Sequence, residues 1–597
     1  MSVFSTILAP LIVLGLGAVV LYISDRFLRS QDKGQAETVV LVLAIVFLLI
    51  SIPHIGEAVR PSRLSDVALS ADKPAWTLAF ILLIGALATS LATWGRPPRG
   101  RAGRLAALGS ALILILGHDR TLLVIAWVLT DVALLYLLAH DRIDIDHLTW
   151  TGLGSLLGAA LFAAGAMLEL SAGQASAKSI ELKSAATTLL MLALAFRLMP
   201  SPLPTWQAAA SASTVRTPPS LQMMAFFLPS MLAVALGQKL LAWNAFTLDG
   251  MRQTLVVIWA ALILLIGALR AWGAETPARL VDNTIFYGLG MILCAVGLGL
   301  DSTIQLAAGV NAIVSVLTLR LAWSQCQHLK LADLHTWWRA LPLVLALGAQ
   351  IGLPLTLGFP VRIAIYAAIF QGQKWLALLL MMTSEVLFLG ALLRILLDLE
   401  SMPDTAPDRT ASETESDRVS APLGLTLPDA WMRRLASYPR IARRIDAARD
   451  QITYRWLPAV RSMSAQVDLA YLAGAIPALS LLVLGLFPNL LSQERTFAGL
   501  SYWLSVPRLP VWAALLLPAV GGIVAYRRQA AILDLFQNWW PLIERLFGLD
   551  WLYRALQKAL GQLRGLIWGT TLVIEGAGYM AWVVLVCLVV LLFVVSR

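Results

Sequence analysis

Charged residues are scarce in this chain, and so are cysteine and histidine. Asp, Glu, Lys and Arg make up 13% of the 597 residues and hydrophobic residues 59%, whereas an ordinary soluble globule is about 25% charged. The three cysteines, Cys294, Cys326 and Cys587, have the spacing of neither a disulfide framework nor a zinc or iron–sulfur site. The composition therefore excludes an ordinary soluble protein and predicts a membrane protein with many spans.

Motifs of catalysis are also missing. The sequence contains no recognisable hydrolase triad, phosphate-binding loop or metal-ligand cluster, so we expect no cofactor and no catalysis by this chain alone. Its net charge of +10 could suggest nucleic acid, but Lys and Arg are scattered through short connections beside apolar segments. There they orient spans and meet anionic headgroups, so lipid is the expected partner of this charge.

Long apolar segments are what the sequence has in abundance. A spanning helix needs about 20 apolar residues at 1.5 Å each, and this template predicts an all-α polytopic membrane protein of about sixteen spans. The predicted spans are 4–23, 38–54, 75–94, 104–117, 121–140, 150–170, 184–200, 219–240, 253–272, 282–300, 303–323, 338–371, 374–397, 469–491, 509–526 and 570–595. The first span lacks the pattern of a signal peptide and is interpreted as retained.

Positive charge in the connections predicts the orientation. The first and third connections are rich in basic residues, namely Arg26, Arg29, Lys33, Arg96, Arg99, Arg101 and Arg104. The positive-inside rule makes the odd-numbered connections cytoplasmic. Both termini are then expected on the outer side of a prokaryotic-type inner membrane.

The C-terminal third is predicted to mix spans with segments on the membrane surface. Residues 401–427 are acidic and Ser/Thr/Pro-rich, which favours a disordered cytoplasmic linker, and 428–468 have the pattern of a basic amphipathic interfacial helix. Two spans lie in 469–526. Residues 527–567 alternate apolar and charged residues at helical intervals over about 60 Å, which predicts a lateral amphipathic helix before a membrane anchor at 568–597.

Two arginines lie beside predicted helix breaks inside apolar segments. Arg197 comes before the break marked by Pro202 and Pro204. Arg362 comes after the break marked by Gly358 and Pro360. A permanent charge in lipid costs about 2.5 to 3.5 kcal/mol on insertion scales, so such residues usually face protein or water. They are the best candidates for functional residues.

The spacing around both breaks resembles the antiporter-like membrane subunits of respiratory complex I, which are similar to subunits of Mrp antiporters and membrane-bound hydrogenases. Arg197 stands where their seventh span has a lysine, five residues before Pro202 and nine before Trp206. Residues 351–362 resemble their AGxP…GFxxK broken helix, with Arg362 at the ionisable position. The segment 527–567 is similar to the lateral helix of the largest such subunit.

The resemblance implies a fold and a set of pathway residues. It implies two inverted five-helix repeats, each with a broken helix, in an antiporter-like core at 96–400 that follows N-terminal helices at 1–95. The implied ion pathway contains Asp131, Arg197, Arg320, Arg362 and Glu385. Asn311 and Ser315 take the places of two histidines in the eleventh span, and Asp131 lies about one turn beyond the position of the expected glutamate.

These replacements change the chemistry. Lys, His and Glu have pKa values that burial can bring near neutrality, whereas an arginine stays charged. We expect Asp131 to pair with Arg197 and Glu385 to pair with Arg362 or Arg320, while water carries a proton past these charges. Structural explanations stay open: Asp131 could be a helix-packing group, Glu385 a partner of Arg394, and Arg320 a side chain that reaches the interface.

The expected function is that of an antiporter-like subunit in a complex I-like assembly, such as an NADH:quinone oxidoreductase-like translocase. It would contribute to proton or cation translocation coupled to chemistry in other membrane-arm subunits. The alternatives are a non-conducting scaffold, a subunit of a hydrogenase, Mrp antiporter or inorganic-carbon uptake complex, and a stand-alone secondary transporter.

Overall fold

The computed structural model describes sixteen α-helices and one short strand pair. The described residues are 3–24, 30–55, 58–59, 69–70, 72–92, 100–140, 145–174, 179–198, 219–242, 250–274, 277–326, 340–397, 469–491, 509–529 and 531–532, with single residues 558 and 562. The predicted linker, the basic segment at 428–468, the last predicted span and nearly all of the predicted lateral helix lie outside them.

The helices follow the predicted spans in order. The first eight are α1 (Val3–Ser24), α2 (Ser30–Ile50), α3 (Lys73–Ala92), α4 (Arg101–Leu116), α5 (Arg120–His140), α6 (Ile145–Gln174), α7 (Ser179–Leu198) and α8 (Pro219–Ala242). The other eight are α9 (Gly250–Trp272), α10 (Pro277–Gly297), α11 (Ser302–Cys326), α12 (Leu341–Ile351), α13 (Gly358–Gln371), α14 (Trp375–Leu397), α15 (Leu469–Leu486) and α16 (Leu509–Arg527). Strands β1 (Ala58–Val59) and β2 (Leu69–Ser70) pair antiparallel.

The prediction of an all-α membrane protein is confirmed. Six described helices are long and apolar enough to cross a membrane, and most of the others are apolar over shorter lengths. Each of the first fifteen predicted spans falls on a described helix, and the predicted span 338–371 falls on the pair α12 and α13.

Helices α3 and α11 form the centre of the described bundle. Of the apolar stretch of each helix, 72% is buried in α3 and 89% in α11, against 28% in α16 and 39% in α5. Helix α11 packs against α3, α8, α10, α12, α13 and α15. Apolar side chains that remain exposed on the peripheral helices, such as Leu16, Leu129 and Leu516, suit a lipid-facing surface.

Candidate ion-pathway site

Two short helices, α12 and α13, meet at a break that depends on glycine at both ends. α12 ends at Ile351, where Gly352 has a left-handed φ of +79° and its N–H bonds to the Gly348 carbonyl. α13 begins at Gly358, where a Cβ atom would overlap the carbonyl oxygen of Ala349. The first glycine is required for its backbone angle and the second for close approach of two backbones.

The break leaves carbonyl groups at the end of α12 without the amide partners of a continuous helix. Two side chains replace those partners. Asn311 Nδ2 on α11 donates to the Ala349 carbonyl oxygen at 3.1 Å. Arg362 Nη2 on α13 donates to the Gln350 carbonyl oxygen at 2.6 Å. The break is therefore stabilised by the same arginine that the sequence singled out.

Arg362 also forms an ion pair with Glu385, which lies near the middle of α14. The two side chains are 4% and 3% exposed, so the pair is separated from bulk solvent. A buried ion pair is tolerated when further hydrogen bonds satisfy its remaining atoms. The sequence left three arginines open as partners of Glu385, namely Arg362, Arg320 and Arg394, and the structure brings Arg362 into contact with it.

Two tyrosines complete the surroundings of this pair. Tyr287 OH accepts a hydrogen bond from Arg362 Nη2 at 3.1 Å, and Tyr366 also lies beside Glu385. The ring of Tyr287 stacks on that of Phe388 with 3.8 Å between centroids. Because Phe388 lies one turn beyond Glu385, this stack fixes the carboxylate's helix against α10.

Gln350 connects the pair to α11. Its Nε2 donates to Ser315 Oγ at 2.5 Å, and Ser315 Oγ donates to the Asn311 carbonyl oxygen. A cavity of about 10 Å³ is lined by Asn311, Gln350 and Arg362 among others, which is room for about one water molecule. Asn311 Oδ1 is buried and has no hydrogen-bond partner among the described residues.

The arrangement can hold one exchangeable proton beside one permanent charge. A guanidinium keeps its proton, so the carboxylate of Glu385 is the group of this pair that can be protonated. Hydroxyl and amide groups around the pair form hydrogen bonds that extend toward the cavity. Within the described ranges, no group of three or more His, Cys, Asp or Glu side chains is placed to hold a metal ion.

The predicted site residues of the first half are described only in part. Asp131 lies near the middle of α5 and is 2% exposed. Its neighbour Thr130 donates to the Ala126 carbonyl oxygen and to Ser110 Oγ. Arg197 is in the last turn of α7, but its side chain lies outside the described residues, as do Pro202 and Pro204. The pairing of Asp131 with Arg197 stays a prediction.

The remaining predicted residues lie on α11 and α13. The guanidinium carbon of Arg320, in the C-terminal part of α11, is 5.3 Å from the ring centroid of Phe226. Gly358 and Pro360 are buried in the first turn of α13. The structure therefore gathers Arg362, Glu385, Gly358 and Pro360 at one place. Arg320 lies apart from them, nearer the C-terminal end of α11 than Asn311 and Ser315.

Sequence reasoning missed Tyr287, Tyr366 and Gln350 as members of the site. Membrane tyrosines normally lie at the interface, yet Tyr287 is at the centre of the 21-residue helix α10. Gln350 is the one amide in the apolar helix α12 and comes two residues before Gly352. Their unusual depth was the available signal, but their shared partner could not be read from separate helices.

A second buried cluster was not predicted either. Glu37 on α2 contacts Arg104 at 2.9 Å and Arg101 at 3.4 Å, and all three side chains are at most 6% exposed. By contrast, the pair of Arg120 with Glu169 is partly exposed. The cluster of Glu37, Arg101 and Arg104 joins the N-terminal half of α2 to the first turn of α4.

Comparison with solved structures identifies the fold. The chain is similar to a chain of respiratory complex I from Thermus thermophilus, with a TM-score of 0.57 and 18% identity over 81% of this chain and 99% of that one. It is similar to a chain of the membrane-bound sulfane sulfur reductase, an archaeal respiratory membrane complex, with a TM-score of 0.61 and 16% identity over 99% of both. A chain of the Mrp complex from Dietzia sp. DQ12-45-1b gives a TM-score of 0.58 and 16% identity over 86% of this chain and 100% of that one.

These likenesses establish a shared fold. No family model and no curated protein sequence matches the chain. At 16–18% identity the comparison speaks for the backbone architecture, and at that level the resemblance predicted from the sequence is confirmed.

Proposed function

We propose that this chain is an antiporter-like membrane subunit of a multi-subunit, complex I-like assembly and contributes to proton translocation. The fold shared with chains of three membrane complexes supports this assignment. The chemistry that drives translocation belongs to partner subunits in the membrane arm and beyond. The chain itself supplies a proton path and a buried carboxylate that binds the proton transiently.

The observation that carries the proposal is the buried pair of Arg362 and Glu385 at the α12–α13 break. Charge in the middle of a membrane protein is costly and usually marks an ion pathway. Arg362 acts as a fixed charge, and Glu385 accepts and releases the proton. When Glu385 is protonated, the uncompensated charge of Arg362 favours the return of the carboxylate to its ionised form.

The route to Glu385 follows α11. Asn311 on α11 lines the one-water cavity, Ser315 on the same helix is hydrogen-bonded to the lining residue Gln350, and Arg320 lies further toward the C-terminal end of α11. A water in the cavity would complete hydrogen bonds between these groups. In this proposal Arg320 places a fixed positive charge at the inner end of the route.

The first half of the core has the corresponding parts. Asp131 on α5 is the acid, Arg197 is the fixed charge, and Pro202 and Pro204 mark the break. In this proposal these parts and the α12–α13 break belong to two inverted five-helix repeats, and the segment 527–567, which lies almost wholly outside the described residues, serves as the lateral helix. Both termini lie on the outer side of a prokaryotic-type inner membrane.

A non-conducting scaffold is the second candidate, and one observation favours it. The cavity beside Arg362 has room for about one water molecule, which does not make a continuous water wire. In that case the ion pair would serve only to hold α13 against α14.

Proton uptake by the assembled complex separates the two candidates. The assembly is purified through a tag on this chain, its co-purifying subunits are identified, and it is reconstituted in vesicles with an entrapped pH dye. With the electron donor or ion gradient that those subunits use, Glu385→Gln should lower the rate of proton uptake through this chain by about 100-fold, the scale of losing a proton-transfer group. Glu169→Gln, which removes a partly exposed carboxylate, is the control. Normal uptake in an assembled Glu385→Gln complex would leave the scaffold as the function.

A further inference from the structure

The backbone of α15 packs directly against the backbone of the α12–α13 break. We propose that Gly485 on α15 is a positioning residue for Arg362, so that a displacement of α15 reaches the ion-pathway site. This inference rests on the proposed function of that site. It concerns a helix that carries none of the candidate pathway residues.

The contact between α15 and the break is made by backbone atoms. The N–H of Leu357 donates to the Leu481 carbonyl oxygen at 3.2 Å. One turn further along α15, a Cβ atom on Gly485 would overlap the carbonyl groups of Leu355 and Thr356 and lie 2.7 Å from the Leu357 nitrogen. Backbone neighbours cannot rotate aside as a side chain can. The glycine is therefore required for α15 to lie this close to the break.

The backbone that Gly485 touches is in an unfavourable conformation. Leu355 has a φ of +75°, in the left-handed region that a leucine rarely adopts. Its side chain is 46% exposed, so side-chain burial does not explain this conformation. Such angles persist where the surroundings determine them. The close backbone of α15, together with the Thr356 Oγ1 bond to the Leu353 carbonyl oxygen at 2.6 Å, supplies those surroundings.

The connection from the break to Arg362 is short and stiff. α13 begins at Gly358, next to Leu357, and Arg362 is one helical turn further on. The guanidinium bonds back to the Gln350 carbonyl oxygen on the other side of the break. A shift of residues 355–357 relative to α12 therefore changes the distance that Arg362 must bridge, and with it the contact to Glu385.

Helix α15 is itself tied to the centre of the bundle. It packs against α3, α11 and α12, and Thr77 Oγ1 on α3 donates to the Leu490 carbonyl oxygen just beyond its end at 2.8 Å. Gly474, nearer the start of α15, faces Ala322 with ordinary spacing, because a Cβ atom there would lie 3.5 Å from its nearest neighbour. One helix therefore offers both a test position and a matched control.

The experiment compares Gly485→Ala with Gly474→Ala in the purified assembly. Hydrogen exchange of residues 353–362 reports the position of the break, and the rate of proton uptake reports the site. Gly485→Ala should speed exchange across the break and lower uptake, by up to about 100-fold if Arg362 is misplaced by about 1 Å. Gly474→Ala should match wild type in both. Wild-type exchange in Gly485→Ala would overturn the positioning role.

A second substitution separates positioning from general damage. Leu355→Gly lets the break take other backbone angles, so adding it to Gly485→Ala should restore part of the uptake, whereas a merely destabilised protein would gain nothing from it. If Gly485→Ala does not assemble, assembly itself is the measurement: adding Leu355→Gly should restore assembly because the break can then adjust to the new Cβ atom, and a double variant that still does not assemble overturns the proposal. Altered exchange with full proton uptake, in a complex whose uptake is lost in Glu385→Gln, would overturn the positioning of Arg362 by Gly485, whereas full uptake in Glu385→Gln as well would overturn the transport role of the site.

Discussion

Arg362 performs several tasks with one side chain. Its guanidinium binds the Glu385 carboxylate, the Tyr287 hydroxyl and the Gln350 carbonyl oxygen. A planar fork of donors can hold partners in fixed directions, whereas a lysine is a compact point charge on a flexible stem. This explains how an arginine can stand where the resembled motif has a lysine: the positive charge is retained and the break is capped as well.

The cluster of Glu37, Arg101 and Arg104 makes a prediction about stability. Glu37→Gln would leave two buried guanidinium groups without the carboxylate that they share. Removing one partner of a buried ion pair costs about 3 to 5 kcal/mol. We therefore expect a clearly lowered melting temperature for the detergent-solubilised protein.

The partly exposed pair of Arg120 and Glu169 is the control for this prediction. Exposed ion pairs contribute about 0 to 1 kcal/mol, so Glu169→Gln should melt close to wild type. Equal melting temperatures for Glu37→Gln and wild type would show that the buried cluster does not hold α2 to α4.

At the scale of helices, the sequence predicts where elements lie better than which side chains meet. Long apolar runs locate the helices because a membrane span must satisfy its own backbone hydrogen bonds. Gly352 and Gly358 mark the ends of α12 and α13 for local reasons, a backbone angle and a close approach. The meeting of Tyr287 with Arg362 depends on how α10 and α13 face each other, which no single helix encodes.

The close approach at Gly358 can be tested by adding one methyl group. Gly358→Ala would press a Cβ atom against the Ala349 carbonyl and bring it to 3.2 Å from Asn311 Nδ2, which disturbs the bond that caps α12. Overpacking of this kind costs about 1 to 3 kcal/mol, measurable as a lowered melting temperature. Gly15→Ala on α1, where no atom lies within 4 Å of the new carbon, should be neutral; the same melting temperature for both variants would contradict this account of the break.

On the scale of the whole molecule, one contact shows which helices begin on the same side of the bundle. Glu37 lies near the start of α2 and contacts Arg101, the first residue of α4. Both helices therefore begin on the same side of the bundle, as an alternating path through the membrane requires. The positive-inside rule predicts that side to be cytoplasmic, and this orientation stays a prediction.

Cysteine labelling tests the orientation directly. In a protein whose native cysteines are replaced, Gln373→Cys lies in the exposed turn between α13 and α14, and Arg528→Cys lies in the exposed end beyond α16. A membrane-impermeant maleimide should label the first in right-side-out vesicles and the second only in inside-out vesicles. The opposite pattern would invert the predicted topology, and labelling of both from one side would contradict the predicted order of spans.

In the proposed mechanism, Glu385 exchanges a proton beside the fixed charge of Arg362. Infrared difference spectroscopy of the assembled complex, recorded while it takes up protons, measures this exchange as a protonated-carboxyl signal. We expect the signal in wild type and its loss in Glu385→Gln. The same signal in both proteins, or proton uptake by wild type with no carboxyl signal that depends on Glu385, would contradict the account.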